Sequence, residues 1–438
     1  MSINPSVAVN TVKESSEPFS NGKTLYVGGS GESNYTKIQY AIDNASNGDT
    51  VFVYDDSSPY FENIIIDKSI SLVGEDRNTT IIDGNFNGSV VFISCEGILI
   101  SGFMIQNSNV NFGFAGIEIS ANYINIIGNR ISSNSYGITS YSFDNNNIKS
   151  NIIYNNIFGI DFMYNSNFNN IINNTIHSNE YGIKIQDSNI QNSNNNIISS
   201  NIIIFNNYKG IYLNDCYSIS ILNNKINNNS GNGINLWGCE RTTISNNIIY
   251  YNKGNGIYIE GGILNIITDN IINSNNYNGI LLTYFTPNPH SNEENTKFNR
   301  IKRNNISNND IGINHIGLSG KKYTCNVIIN NNLINNTQNA MDNSKDFWDN
   351  GKYGNYWSDY QEQYPYAKPK THKPWIWDTP YEIPGGVNKD KCPLINQWPK
   401  SKPRTKTRNN SPNFNLLDRL FERFPLLEVF LRAMNLLR

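Results

Sequence analysis

Charge is scarce in this 438-residue chain: Lys, Arg, Asp and Glu together make up 16%, and the net charge is −2. So thin a field offers no basic face to a nucleic acid, and no nucleic-acid partner is expected. The 4 histidines (His177, His290, His315 and His372) are scattered and the 5 methionines are few, so no cofactor or metal is expected. The 5 cysteines are odd in number and lack metal-finger spacing. Cys216 and Cys239 stand 23 residues apart, which leaves open a disulfide or a column of buried thiols. No apolar run reaches transmembrane length. The opening MSINPSVAVN has neither a basic stretch nor a full apolar one. It reads as the tail of a signal peptide left by a downstream start, or as a loose terminus.

What the chain has in excess is Asn, Gly and Ile in a fixed order. Gly210, Gly233, Gly256 and Gly279 follow one another at intervals of 23 residues through three near-copies of one unit. A period of that length marks a solenoid whose units stack on each other. Within a unit, pairs such as Ile211/Leu213 and Ile257/Ile259 alternate with polar residues, the period of a strand. The expected fold is therefore all-β, a right-handed parallel β-helix with about 22–23 residues per coil. From Gly116 a Gly-Ile pair recurs at 137, 159, 182, 210, 233, 256, 279 and 312. An Asn-x-Ile column recurs at Asn129, Asn151, Asn174, Asn201, Asn224, Asn246, Asp269 (in place of Asn), Asn304 and, with Leu, Asn331. Asn tolerates left-handed turns and its amide can bridge coils, so this column reads as structural. The wider steps, 28 and 33 residues, mark insertions near 191–196 and at 286–297.

Five segments follow. Residues 1–22 are Ser/Glu/Asn-rich and read as disordered. Residues 23–341 form the β-helix, opened by a helical lid on which Ile38, Ala41, Ile42 and Ala45 share a face. Residues 342–398 form an aromatic cap in which Trp348, Trp357, Trp375, Trp377 and Trp398 plug the open end. Residues 399–412, PKSKPRTKTRNNSP, are a basic linker. Residues 413–438 have helical spacing, with Leu417, Leu420, Phe421, Phe424, Leu427, Leu431 and Met434 on one side and a break at Pro425. This amphipathic tail suits a membrane surface or self-association, with folding back on the rod as the alternative.

The opening YVGGSG…YTKIQYAIDNASNGDTVFVY, followed by these repeats, resembles the NosD-like group of pectin-lyase-like β-helix proteins of archaea and bacteria. DFWDNGKYGNYWSDYQ and WDTPYEIPGGVNKDKCPL resemble the tail of the same group. The resemblance implies a cell-surface or secreted protein and, in some relatives, a copper-related maturation role. The group carries an acidic, Gly-rich loop between NYWSDY and DTPY. Here the interval is QEQYPYAKPKTHKPWIW, basic and aromatic, with only Asp378 left. That departure, and the scattered histidines, argue against copper.

Alternation predicts which side chains face outward. One column reads Glu118, Thr139, Asp161, Lys184, Tyr212, Asn235, Tyr258, and a second Ser120, Tyr141, Met163, Gln186, Asn214, Trp237, Glu260. Glu118, Tyr141, Asp161, Lys184, Tyr212, Trp237, Tyr258 and Glu260 form a strip of acids, Lys and aromatics suited to stacking on and hydrogen bonding to sugars. A solvated sheet face would look the same. Asp187 and Asp215 each lie five residues after their Gly, on neighbouring coils. Their carboxyls can approach the ~5 Å of a retaining glycosidase pair, although Asp also serves local turns. No Arg or Lys flanks an acidic cluster as lyase chemistry needs. The expected function is a non-catalytic secreted or cell-surface protein that binds polysaccharide or builds an envelope layer. The alternative is a polysaccharide hydrolase or lyase.

Overall fold

The computed structural model describes residues 22–111, 113–186, 194–284, 296–317 and 323–399. Each repeat folds as three short strands separated by corners. In the 23-residue unit these are Ser220–Leu222, Lys225–Asn227 and Ile234–Trp237. Each pairs in parallel with its copy one coil on: Ser220 opposite Thr243, Lys225 opposite Ile248, Ile234 opposite Ile257. Propagated along the chain, this gives three parallel sheets of 14, 13 and 12 strands. The first runs from Thr24–Val27 to Lys345–Phe347, the second from Tyr60–Phe61 to Tyr356–Trp357, the third from Ile64–Ile66 to Gln338–Asp342. The chain is the expected parallel β-helix, and its ladders run past residue 341 to Trp357.

The core is stacked isoleucine. In the first sheet Ile126, Ile148, Ile171, Ile198, Ile221, Ile244, Ile267, Ile301 and Ile328 form one fully buried column. Equivalent columns line the other two sheets. A β-branched side chain has few rotamers to lose in a strand, and each meets an identical partner one rung, ~4.8 Å, away. Where the third-sheet column departs from Ile, size is exchanged between neighbours: Ser140 lies opposite Phe162.

The corners are held by amides. Asn224 donates its backbone N–H to Asn247 Oδ1 (2.9 Å) and its side-chain amide to the same oxygen (3.0 Å) and to the Ile198 carbonyl (2.8 Å). The same links join Asn129, Asn151, Asn174, Asn201, Asn224, Asn247, Asn270, Asn304, Asn331 and Asn355. Asn247 and Asn270 thus occupy the column, not Asn246 and Asp269 as expected. Asn246 (φ 56°) and Asp269 (φ 58°) take instead the left-handed position that precedes each ladder amide. Two Asn side by side satisfy the same sequence pattern, and only the register separates them. A second ladder from Asn134 to Asn336 lies five residues later in each coil. A third serves the corner between the third and first sheets, in two stretches: Asn146–Asn169–Asn196 and Asn265–Asn299–Asn326.

Both ends are closed. The helix Ile38–Asn44 buries Ile38, Ala41 and Ile42 across the first coil, with Ala45 beside them. At the other end Trp348, Trp357 and Trp377 join the core, with Tyr381 stacked on Trp357 at 3.9 Å. Trp375 and Trp398 are not part of this plug; they pack with Tyr353 against a separate cluster of Ile376, Cys392 and Leu394. Carboxylates terminate two ladders. Asp390 Oδ2 accepts the Asn355 N–H at 2.7 Å, and Asp346 Oδ1 accepts the Asn326 N–H at 2.9 Å. All five cysteines are free thiols, so Cys216 and Cys239 are unbridged and buried.

Candidate functional site: the outer face of the third sheet

The outward columns keep the register expected of them: Glu118, Thr139, Asp161, Lys184, Tyr212, Asn235 and Tyr258 are consecutive partners. So are Tyr141, Met163, Gln186, Asn214, Trp237 and Glu260. The strip is not evenly open, however. Glu118, Tyr141, Lys184, Tyr212, Trp237, Tyr258 and Glu260 are half-buried, whereas Thr139, Asp161, Met163, Asn214 and Asn235 are buried.

The cover over Asp161 comes from residues that alternation alone did not single out. The residue before each landmark Gly also faces outward, and there the chain carries Tyr136, Phe158 and Tyr181. Tyr136 stacks on Phe158 at 4.9 Å and Phe158 on Tyr181 at 5.2 Å. Tyr136 and Phe158 pack with Tyr141 and Met163 into an apolar cluster outside the core. The signal was present in the sequence as an aromatic at every Gly−1 position over three coils; taking Gly as the start of the unit hid it.

The electrostatics follow from this cover. Burial pushes the Asp161 carboxyl up to about 6, against the pull of Lys184, whose ammonium lies 3.2 Å from Oδ2. Asp161 Oδ1 has no hydrogen-bond partner among the described residues. Lys184 also lies 5.0 Å from the Phe158 ring centre. One coil on, Lys209 sits 3.8 Å over Tyr212, and burial lowers its pKa while Glu260 opposes that shift. Burial raises the Tyr212 hydroxyl to about 12. Tyr258 donates to Glu260 at 2.7 Å, and Glu118 accepts from Ser89 Oγ at 2.6 Å. The result is a ladder of rings flanked by half-exposed acids and two lysines.

Asp215 follows the strand Ile211–Asn214 in a left-handed turn (φ 52°), half-buried. Asp187 lies outside the described residues, as does the tail at 413–438. Asp215 therefore stands at the edge of the strip.

One further cluster, at the C-terminal end, was not anticipated. His315 occupies an inward position of the Ile column, and Asp342 follows it one coil on. His315 Nδ1 lies 2.6 Å from Asp346 Oδ2 and 2.8 Å from Ser344 Oγ. Burial alone would lower the imidazole, but Asp346 and Asp342 outweigh it and hold its pKa above the usual value. Burial and the neighbouring Asp346 raise Asp342 to about 6.

Comparison with known proteins places these features. Residues 189–362 match the family model described as periplasmic copper-binding protein (NosD). No curated protein matches the chain. Among solved structures, the chain resembles the A-module of mannuronan C-5 epimerase AlgE6 from Azotobacter vinelandii. There the TM-score is 0.60 and the identity 17%, covering 71% of this chain and 92% of that one. It also resembles the AlgE4 A-module of the same organism (0.56, 18%, 69% and 92%). The PL6 family alginate lyase AlyGC matches at 0.55 and 15% identity, covering 76% of this chain and 51% of that one. At these identities the likeness is one of fold.

The NosD description implies copper, and His315, Asp342 and Asp346 are the one group among the described residues whose donors lie close enough to hold an ion. Most of these donors are already engaged in hydrogen bonds, and of the three side chains only His315 Nε2 is buried without a partner among the described residues. Asp346 Oδ1 is taken by Asn326 and Thr324, and both Asp342 oxygens by Ser344 and Trp348. His315 Nδ1 is taken by Asp346 Oδ2 and Ser344 Oγ, and the set lacks the soft sulfur that favours copper(I). These hydrogen bonds close the C-terminal end of the core. The chain is a parallel β-helix, and over residues 189–362 it is similar to the family described as periplasmic copper-binding protein (NosD).

Proposed function

We propose that this chain is an extracytoplasmic rod that binds a polysaccharide along the outer face of its third sheet, without cleaving it. The supporting observation is the ring ladder Tyr136–Phe158–Tyr181–Tyr212, bordered by Lys184, Lys209, Glu118, Tyr258 and Glu260. From Glu118 to Tyr258 the strip covers six rungs, ~29 Å. Phe158, Tyr181 and Tyr212 are half-buried and offer apolar surface for sugars to pack against, with Tyr136 buried beside them, and the lysines suit acidic sugars. The periplasmic family description and the alginate-acting fold neighbours support the same location and ligand class. The strip carries the binding roles of Glu118, Tyr141, Lys184, Tyr212, Trp237, Tyr258 and Glu260, with Asp161 holding Lys184 in place from beneath.

A catalytic reading has one specific support: Asp161, poised near neutrality beside Lys184, is a reservoir for a proton. It has no exposed surface, so a substrate reaches it only if Tyr136 or Phe158 swings aside, and binding is the favoured reading. Asp215 with Asp187 is the other candidate acid pair. Titrating the full chain with alginate and with a neutral glucan, alongside a reducing-end assay, tests both. The expected result is alginate binding without new ends, weakened about tenfold by Tyr212→Ala or Trp237→Ala. Chain cleavage abolished by Asp161→Asn or Asp215→Asn would replace the binding reading with the catalytic one, and absence of glycan binding would remove both.

A further inference from the structure

The outer face of the second sheet carries apolar residues that the fold itself does not use. Ile202, Lys225, Ile248 and Ile271 are consecutive outward partners on four adjacent coils. The three isoleucines are 41%, 44% and 46% exposed, and at the adjoining corner Phe205 and Tyr251 are 57% and 55% exposed. Continuing the same column, Ile271 is followed by Asn305, Asn332 and Tyr356. Asn332 is where the described chain leaves the rod: its side chain accepts the Trp398 N–H at 2.7 Å and donates to the Trp398 carbonyl at 3.1 Å.

The chain therefore departs on the face that holds the apolar patch, at its C-terminal margin. Ile271 lies two rungs from Asn332, ~10 Å, and Ile202 five rungs, ~24 Å. Residues 399–412 can span up to ~45 Å, ample to reach either. The 26 residues that follow, 413–438, carry Leu417, Leu420, Phe421, Phe424, Leu427, Leu431 and Met434 at helical spacing. Broken at Pro425, this segment would form helices of up to ~18 Å and ~21 Å, each long enough to lie along the ~14 Å from Ile202 to Ile271.

We infer that residues 413–438 dock in cis on the outer face of the second sheet, covering Ile202, Ile248, Ile271, Phe205 and Tyr251. This occupant is preferred over a second copy or a membrane because the tether delivers it to this face at high local concentration. The inference is independent of glycan binding, which uses the third sheet.

Hydrogen exchange of the full chain, read at 413–438 at a concentration where sedimentation shows a monomer, tests it. Protection of the tail is expected, falling about tenfold both in Ile202→Ser/Ile248→Ser/Ile271→Ser and in Leu420→Glu/Leu427→Glu. The second variant leaves every rod residue intact and so reports on docking even if the first misfolds. Equal exchange in the wild type and the tail variant would overturn the inference. So would protection lost on dilution together with a dimer, or tail-dependent binding to phosphatidylglycerol vesicles that the patch variant leaves unchanged.

Discussion

At two corners of each repeat coil a left-handed residue is followed by an amide that reaches up and down the stack, and the two make different demands. Asn246 needs only a backbone that tolerates φ 56°, whereas Asn247 supplies an acceptor to Asn224 and donors to Ile221, Ser245 and Asn270. Asn247→Ala should therefore cost about 2–4 kcal/mol, since it strands the buried Asn224 N–H and amide. Asn246→Gly should be nearly neutral, because Gly adopts the same turn without strain. Urea melts of the two variants check this, and equal losses would put the ladder back at 246. The sequence displayed the column but could not choose between adjacent asparagines, because both roles favour the same side chain. Asp161 was legible as an outward residue but not as a buried one, since its cover depends on rings three residues upstream on two coils.

The short third-sheet strands begin at a Gly column for a steric reason. A Cβ on Gly233 would lie 2.8 Å from the Gly256 carbonyl oxygen and 2.8 Å from Ile249 Cγ2. Backbone cannot yield there without shifting a whole rung, so Gly233→Ala should cost about 2–4 kcal/mol; a variant melting like the wild type would show that the rungs slide. Strand period, repeat length and the lid helix were all readable, because local alternation dictates which face is buried. Which tryptophans plug the end was not, because Trp348 and Trp375 look alike in sequence and differ only in where the cap folds them. The His315 cluster was unreadable for a related reason: its members are 27 and 31 residues apart and meet through the coil period.

For the molecule as a whole, charge is buried at the terminus and beneath the ring ladder without full compensation. Burial raises Asp390 to about 7 and Asp342 and Asp161 to about 6. A carboxyl whose folded pKa lies above its unfolded value favours folding while protonated. That contribution is complete below about pH 4 and is lost as pH rises through 6 to 7. The melting temperature should thus fall between pH 5 and pH 8, by a loss on the order of a few kcal/mol in total. Calorimetry across that range checks the sign, and a melting temperature rising with pH would contradict it. Asp161→Asn should flatten the lower part of the curve, since it removes one of the groups titrating near 6.

Because the strands of each coil pair with those of the coil above and the coil below, the fold accepts added coils. Duplicating the 23 residues from Gly210 to Asn232 would insert one more rung between unchanged lids and lengthen the third sheet by ~4.8 Å. In evolutionary terms the length of the rod can be changed by copying one short stretch of gene, while the two irregular ends are left alone.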